Sequence, residues 1–138
     1  MIIINGYLKF GVAILLCICI AGCSEKRTTD AHESYKFWSG KNPDKNIKVI
    51  HGQYWQSASL TKEYIAYLEL QTSSKWIEEF DKQNHLVATD SISSLPDDAP
   101  AWFKPQKNSH VFKAAHDENS VYFEDFESGR IFIFEQQL

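Results

Sequence analysis

Metal binding, acid-base catalysis and nucleophilic attack draw on histidine, paired carboxylates, serine and cysteine. The chain holds all of these types, in spacings that do not converge on one chemistry. It has five histidines and three cysteines. His51, His85, His110 and His116 fall on separate predicted elements, without the close cysteine or second histidine that a tetrahedral zinc site needs. The densest acidic cluster, His116-Asp117-Glu118, sits where a surface turn is expected. Glu78-Glu79 are neighbours on a predicted helix, where adjacent side chains point apart, and Asp97-Asp98 are suited to capping. Gly40, Gly52 and Gly129 are the only glycines after Gly22, so neither a Gly-x-Ser-x-Gly elbow nor a phosphate-cradling loop can be assembled. No catalytic residue, metal ligand or cofactor is assigned on these grounds.

The cysteines carry the sharper signal. Cys17, Cys19 and Cys23 all lie in the first 23 residues. Lys9 precedes an apolar run from Phe10 to Ala21 broken only by Gly11, and strongly polar sequence begins at Ser24. A basic start, a short apolar stretch and small residues are the layout of an export signal. The run is short for a span, since ~20 residues are needed to cross the hydrocarbon core. An uncleaved anchor reaching back to Ile2 would enclose Lys9, at roughly 2.5–3.5 kcal/mol if central. Lys26 and Arg27 just beyond the run leave the positive-inside bias unclean.

The run ends in Ile20-Ala21-Gly22-Cys23, which resembles the lipobox of bacterial lipoproteins: an aliphatic residue, two small ones and a cysteine whose thiol accepts diacylglycerol. The resemblance covers residues 1–24. It implies a signal peptide over 1–22, lipidation (palmitate among the acyl groups) on Cys23, and attachment by two or more acyl chains, enough for stable anchoring. Ser24, where aspartate would signal inner-membrane retention, implies an outer-membrane anchor with the domain facing the periplasm. Removing residues 1–22 takes away Lys9 and no acid, making the remainder one unit more acidic than the formal −4 of the whole chain. That balance argues against nucleic-acid partners.

These features have to be carried by a single domain. Residues 23–46 are charged and poor in aliphatics, with Gly40 and Pro43 as breakers, and read as the lipidated cysteine and a polar tether. Tyr35, Phe37 and Trp38 within it are expected to dock on the domain. The globular part is expected over 47–138. Ile47–Ile50 and Tyr54-Trp55 have strand character with a bend or bulge at Gly52, and Tyr64–Leu70 alternates as a stronger strand. Ser74 is read as the N-cap of an amphipathic helix to Asn84, with Trp76, Ile77 and Phe80 on its apolar stripe.

Leu86–Thr89 and Ser109–Ala114 read as short strands, and a single helical turn is expected around Ala101, Trp102 and Phe103. Val121–Phe126 and Ile131–Glu135 suggest a hairpin in which Gly129 closes a two-residue loop or takes the left-handed position of a three-residue one. The fold class is α+β: a small antiparallel sheet of about five or six strands with one helix across it. The spacing of Tyr-Trp-Gln-Ser at 54–57, Trp-Ile-Glu-Glu-Phe at 76–80, Pro-Ala-Trp-Phe-Lys-Pro at 100–105 and the closing Ile-Phe-Ile-Phe-Glu-Gln-Gln-Leu resembles small bacterial lipoproteins that carry no known activity.

Aromatics make up 14% of the chain, and in a domain left without pairable thiols they are first of all core. Trp55, Trp102 and Phe103 fall beside turns and are the candidate partner-binding residues. The expected role is a membrane-anchored binding module of the cell envelope. An immunity or inhibitor lipoprotein directed at a periplasmic toxin or hydrolase is an alternative, and an envelope hydrolase is another.

Overall fold

The computed structural model describes residues 24–90, 95–115 and 117–138; the expected signal peptide over 1–22, the expected lipidation site Cys23, and His116 lie outside them. Seven strands form one antiparallel sheet: β1 (Lys26–Thr28), β2 (Lys48–Gln56), β3 (Tyr64–Gln71), β4 (Leu86–Ala88), β5 (His110–Ala114), β6 (Asp117–Asp125) and β7 (Arg130–Gln137), in the order β1-β2-β3-β7-β6-β5-β4. Two helices, α1 (Ala31–Ser39) and α2 (Ser74–Asn84), cover one face. The α+β expectation holds in outline, with more strands and one more helix than foreseen.

The segment expected to be a tether is part of the domain, and this corrects the 23–46 boundary. Asp30 caps α1 by accepting a bond from the Glu33 amide, and Gly40 ends it at φ 75°. These are the residue types that helix termini favour. Helix α1 buries Tyr35 at 2% exposure against Val49, Leu68 and Leu70. It comes so close to the sheet that a Cβ on Gly52 would lie 2.6 Å from Ser34 Cβ. Gly52 is therefore the point where a helix rests on a strand, and the bulge expected there lies at Ile50 instead, between Val49 and His51. β1, with no apolar pattern of its own, is fixed as an edge strand by pairing Lys26, Arg27 and Thr28 with Gln56, Trp55 and Tyr54.

Helix α2 starts one residue earlier than expected, with Ser73 as its cap accepting from the Trp76 amide at 3.2 Å. Ile77 and Phe80 face the sheet, where Leu68, Leu70, Ile131 and Ile133 are fully buried. Acids interrupt this face, and one of them is wholly buried. Glu124 of β6 is fully buried beside Asp81 of α2. Burial, and then the Asp81 carboxyl, push the Glu124 carboxyl up to about 9.

The β6–β7 connection is a four-residue loop, 126–129, longer than either loop foreseen, and Asp125 pairs with Arg130 across its base. The Asp125 carboxylate organises it, accepting from Ser128 Oγ at 2.7 Å and from the amides of Glu127 and Ser128. Gly129 completes the loop at φ 70°, packed so tightly that a Cβ would lie 2.0 Å from the Thr72 carbonyl oxygen.

The other face of the sheet is covered by irregular chain. Tyr67, Val121, Phe123, Phe132 and Phe134 form a second core around Phe103, with Leu95, Ala99 and Trp102 packed against it. In place of the expected helical turn there are two successive β-turns, closed by Ala99 N–H to Pro96 O and Phe103 N–H to Pro100 O.

Candidate functional site

The bulge at Ile50 decides which side chains β2 shows on the loop-covered face. Strict alternation would put His51 on the same side as Val49. The extra residue reverses this, so Gly52 and Tyr54 go to the helices while His51, Gln53 and Trp55 go to the other side, opposite Glu69, Tyr67 and Ile65 of β3. The second core includes no residue of β2. The covering loop reaches the β2 margin of that face only in part: Trp102 stacks on His51, Asp98 shares a groove with Gln53 and Trp55, and the margin is otherwise half-open.

At one end sits a charged network. Glu69 is buried, with its side chain 6% exposed, and His51 Nδ1 lies 2.7 Å from Glu69 Oε2. Arg130 Nη1 approaches Glu69 Oε1 at 3.4 Å. The pairing supplies the partners a buried carboxylate requires. The His51 side chain remains 48% exposed, and its ring stacks on Trp102 at 5.0 Å with 17° between planes. Trp102 is seated in turn on Phe103, ring to ring at 5.8 Å.

At the other end is a groove of about 400 Å³ whose lining includes Arg27, Gln53, Trp55, Ile65, Tyr67 and Asp98. The Trp55 indole N–H donates to Glu25 Oε1 at 2.7 Å, and Arg27 Nη2 donates to the same oxygen at 3.1 Å. Those two bonds, Trp55 first, hold the Glu25 carboxyl below its ordinary range. The Tyr67 hydroxyl is buried beside the Asp98 carboxyl. Burial first, and then the charge of Asp98, push that phenol up to about 12, so it stays protonated as a donor at neutral pH.

Of the three residues singled out in the sequence, the structure brings Trp55 and Trp102 to one margin of one face, both half-buried. Phe103 is 4% exposed and in contact with Tyr67, Phe123 and Phe132. Its ring is core and supports Trp102 from beneath, so a partner could not touch it without unfolding the loop. His51, Glu69, Arg130, Arg27 and Gln53 were assigned no role from sequence. Glu69 did carry a signal, as the single acid in the otherwise apolar strand from Tyr64 to Leu70.

The arrangement has two chemical capacities. A histidine oriented by a buried carboxylate resembles the base and orienter of hydrolytic sites. Among the described residues, however, no hydroxyl or thiol hydrogen-bonds to His51, and no group of three or more His, Cys, Asp or Glu could hold a metal ion. What the geometry does supply is a groove walled by Trp55 with Arg27, Gln53, Tyr67 and Asp98 and, farther along the same strand, the His51–Trp102 stack beside Glu69. The second capacity is recognition, through half-buried rings and polar groups side by side. Comparisons with protein-family models, curated protein sequences and solved structures return no match for the chain.

Proposed function

We propose that the chain is a lipid-anchored binding module of the bacterial cell envelope, tethered through Cys23 at the periplasmic side of the outer membrane, and that it grips another exported protein along the β2 margin that carries Trp55 and Trp102. The observation that carries this reading is the placement of the two indoles. They come from segments nearly 50 positions apart and stand along the same margin of the sheet, Trp55 in the groove wall and Trp102 stacked on His51 of the same strand. Tryptophan anchors ringed by polar groups are the usual composition of binding hot spots. The Ile20-Ala21-Gly22-Cys23 sequence supports the anchor. Among the described residues, no helix is long and apolar enough to cross a membrane.

The acidic balance favours a partner with a basic face, as an exported enzyme held in check by an inhibitor would present. The test is affinity capture of the lipidated protein from its own envelope, run in parallel with Trp55→Ala and Trp102→Ala variants. A partner that co-purifies with the parent chain and is lost from both folded variants is the expected result. A partner retained by both variants would move the binding surface elsewhere, and turnover of envelope substrates abolished by His51→Ala would replace recognition with catalysis.

A further inference from the structure

On the opposite side of the sheet, the C-terminal ends of α1 and α2 come together over β7 and enclose a cleft of about 340 Å³. We propose that this cleft binds an organic ammonium group, either of a free solute or of a lipid headgroup. The proposal is independent of the reading given to the loop-covered face.

Several features of the cleft give it the same electrostatic sign. Its walls are aromatic: Tyr35 and Trp38 from α1, Trp76 and Phe80 from α2. Trp76 stacks on Phe80 at 5.1 Å, Trp38 meets Phe80 at 6.1 Å, and Tyr35 meets Trp38 at 5.5 Å. The faces of such rings carry negative charge density and attract weakly hydrated cations. The lining also includes Ser39 and Asn84, the last residues of the two helices, so both helices direct the negative ends of their dipoles toward the same space.

Glu135 of β7 adds a full charge. Its two carboxylate oxygens accept separate hydroxyls, Tyr64 at 3.0 Å and Tyr122 at 2.9 Å, and it has no ion pair among the described residues. Burial raises the pKa of both phenols, with the charge of Glu135 the next cause, so they act as neutral donors that hold the carboxylate without cancelling it. Lys41 is the one cation in the lining, and its ammonium lies 3.5 Å from Asp44 Oδ2.

The wall composition selects the kind of cation. Calcium and magnesium require six or more oxygen ligands, whereas here Glu135 is held by two tyrosines, Glu79 lies 3.8 Å from Lys75, and much of the remaining wall is aromatic. An alkylated ammonium, cheap to desolvate and able to lie against indole faces, matches this lining. The volume is at the small end of ligand pockets, which span ~300–1,000 Å³, and suits a headgroup better than a chain.

The test follows the intrinsic fluorescence of the mature chain, in which Trp38 and Trp76 report on the cleft, during titration with choline and with its uncharged isostere 3,3-dimethylbutanol at matched ionic strength. A saturable response to choline, at least tenfold weaker for the isostere and weaker again in Glu135→Gln, is expected. That variant keeps an oxygen to accept one tyrosine hydroxyl and turns an amide NH2 to the oxygen of the other, and its melting curve checks the fold. Equal binding of both compounds, or no saturable response to choline, overturns the proposal. Competition by phosphatidylcholine vesicles, but not by phosphatidylglycerol vesicles, would identify a headgroup as the source of the ammonium; no competition by either would identify a free solute.

Discussion

Placing α1 on the sheet makes Gly52 the most informative position in the chain. In Gly52→Ala the new Cβ would meet Ser34 Cβ at 2.6 Å, Ser34 Oγ at 3.0 Å and Ala31 Cα at 3.1 Å. The first distance is far inside van der Waals contact, and neither helix nor sheet has room to yield, since Ser34 is fully buried. Overpacking of this kind costs about 1–3 kcal/mol. For a domain of this size that is a fall in Tm of roughly 4–8 °C per kcal/mol. Ser34→Gly in the same chain removes two of the three close contacts and leaves the one to Ala31. The double variant should therefore recover part of the loss, even after the cost of a helical glycine, about 1 kcal/mol or less. Calorimetric melting of the four chains forms a double-mutant cycle whose coupling should be at least ~0.5 kcal/mol. Additive effects, or a Gly52→Ala chain as stable as the parent, would mean that α1 does not rest on β2 and that residues 24–46 are a tether after all.

Other expected outcomes follow from the two cores and the buried acid. Phe103→Ala should destabilise the domain by about 3–5 kcal/mol, as an emptied aromatic site does, whereas half-buried Trp102→Ala should cost distinctly less and leave the near-UV circular dichroism of the core intact; equal losses would contradict the division of labour between the two rings. Glu124 binds a proton more tightly in the folded chain than in the unfolded one, so its contribution is intact below the ordinary carboxylate range and is lost as pH rises toward about 9. Glu124→Gln should therefore flatten the decline in stability between about pH 5 and pH 9, with ~1.4 kcal/mol per unit as the ceiling on the parent's slope for one proton. Parallel urea-unfolding profiles for parent and variant would contradict this. Gly129→Ala should destabilise by more than about 1 kcal/mol, because it combines a left-handed backbone with a blocked approach to Thr72; an unchanged denaturation midpoint would show that the loop can rearrange.

Patterned elements were the legible part of the sequence. The alternation from Tyr64 to Leu70 predicted β3, and the Trp76, Ile77, Phe80 stripe predicted α2 to within one residue, because each buries a face that repeats with its own period. Helix α1 was missed although Asp30 and Gly40 mark its ends, since only nine residues lie between and its stripe is interrupted by charge. β1 had no local signal at all: Lys-Arg-Thr becomes a strand only because β2 offers it an edge. The surface between Trp55 and Trp102 was half visible. Both indoles stood out as aromatics beside turns, but their placement on one face depends on a bulge at Ile50, a register shift that side-chain periodicity does not encode. Phe103, next to Trp102 in sequence, points into the core because the turn closed by Pro100 O separates the two rings.

The central claim is that the open margin of the loop-covered face is where this domain meets its partner. A photo-crosslinking amino acid placed at Trp102 in the full-length chain, irradiated in intact cells, tests it directly when compared with the same probe at Leu60, which is 92% exposed in the loop between β2 and β3. The account predicts one discrete adduct from position 102, absent from position 60 and suppressed by Trp55→Ala. Adducts of equal yield from both positions, or none from position 102, would contradict it.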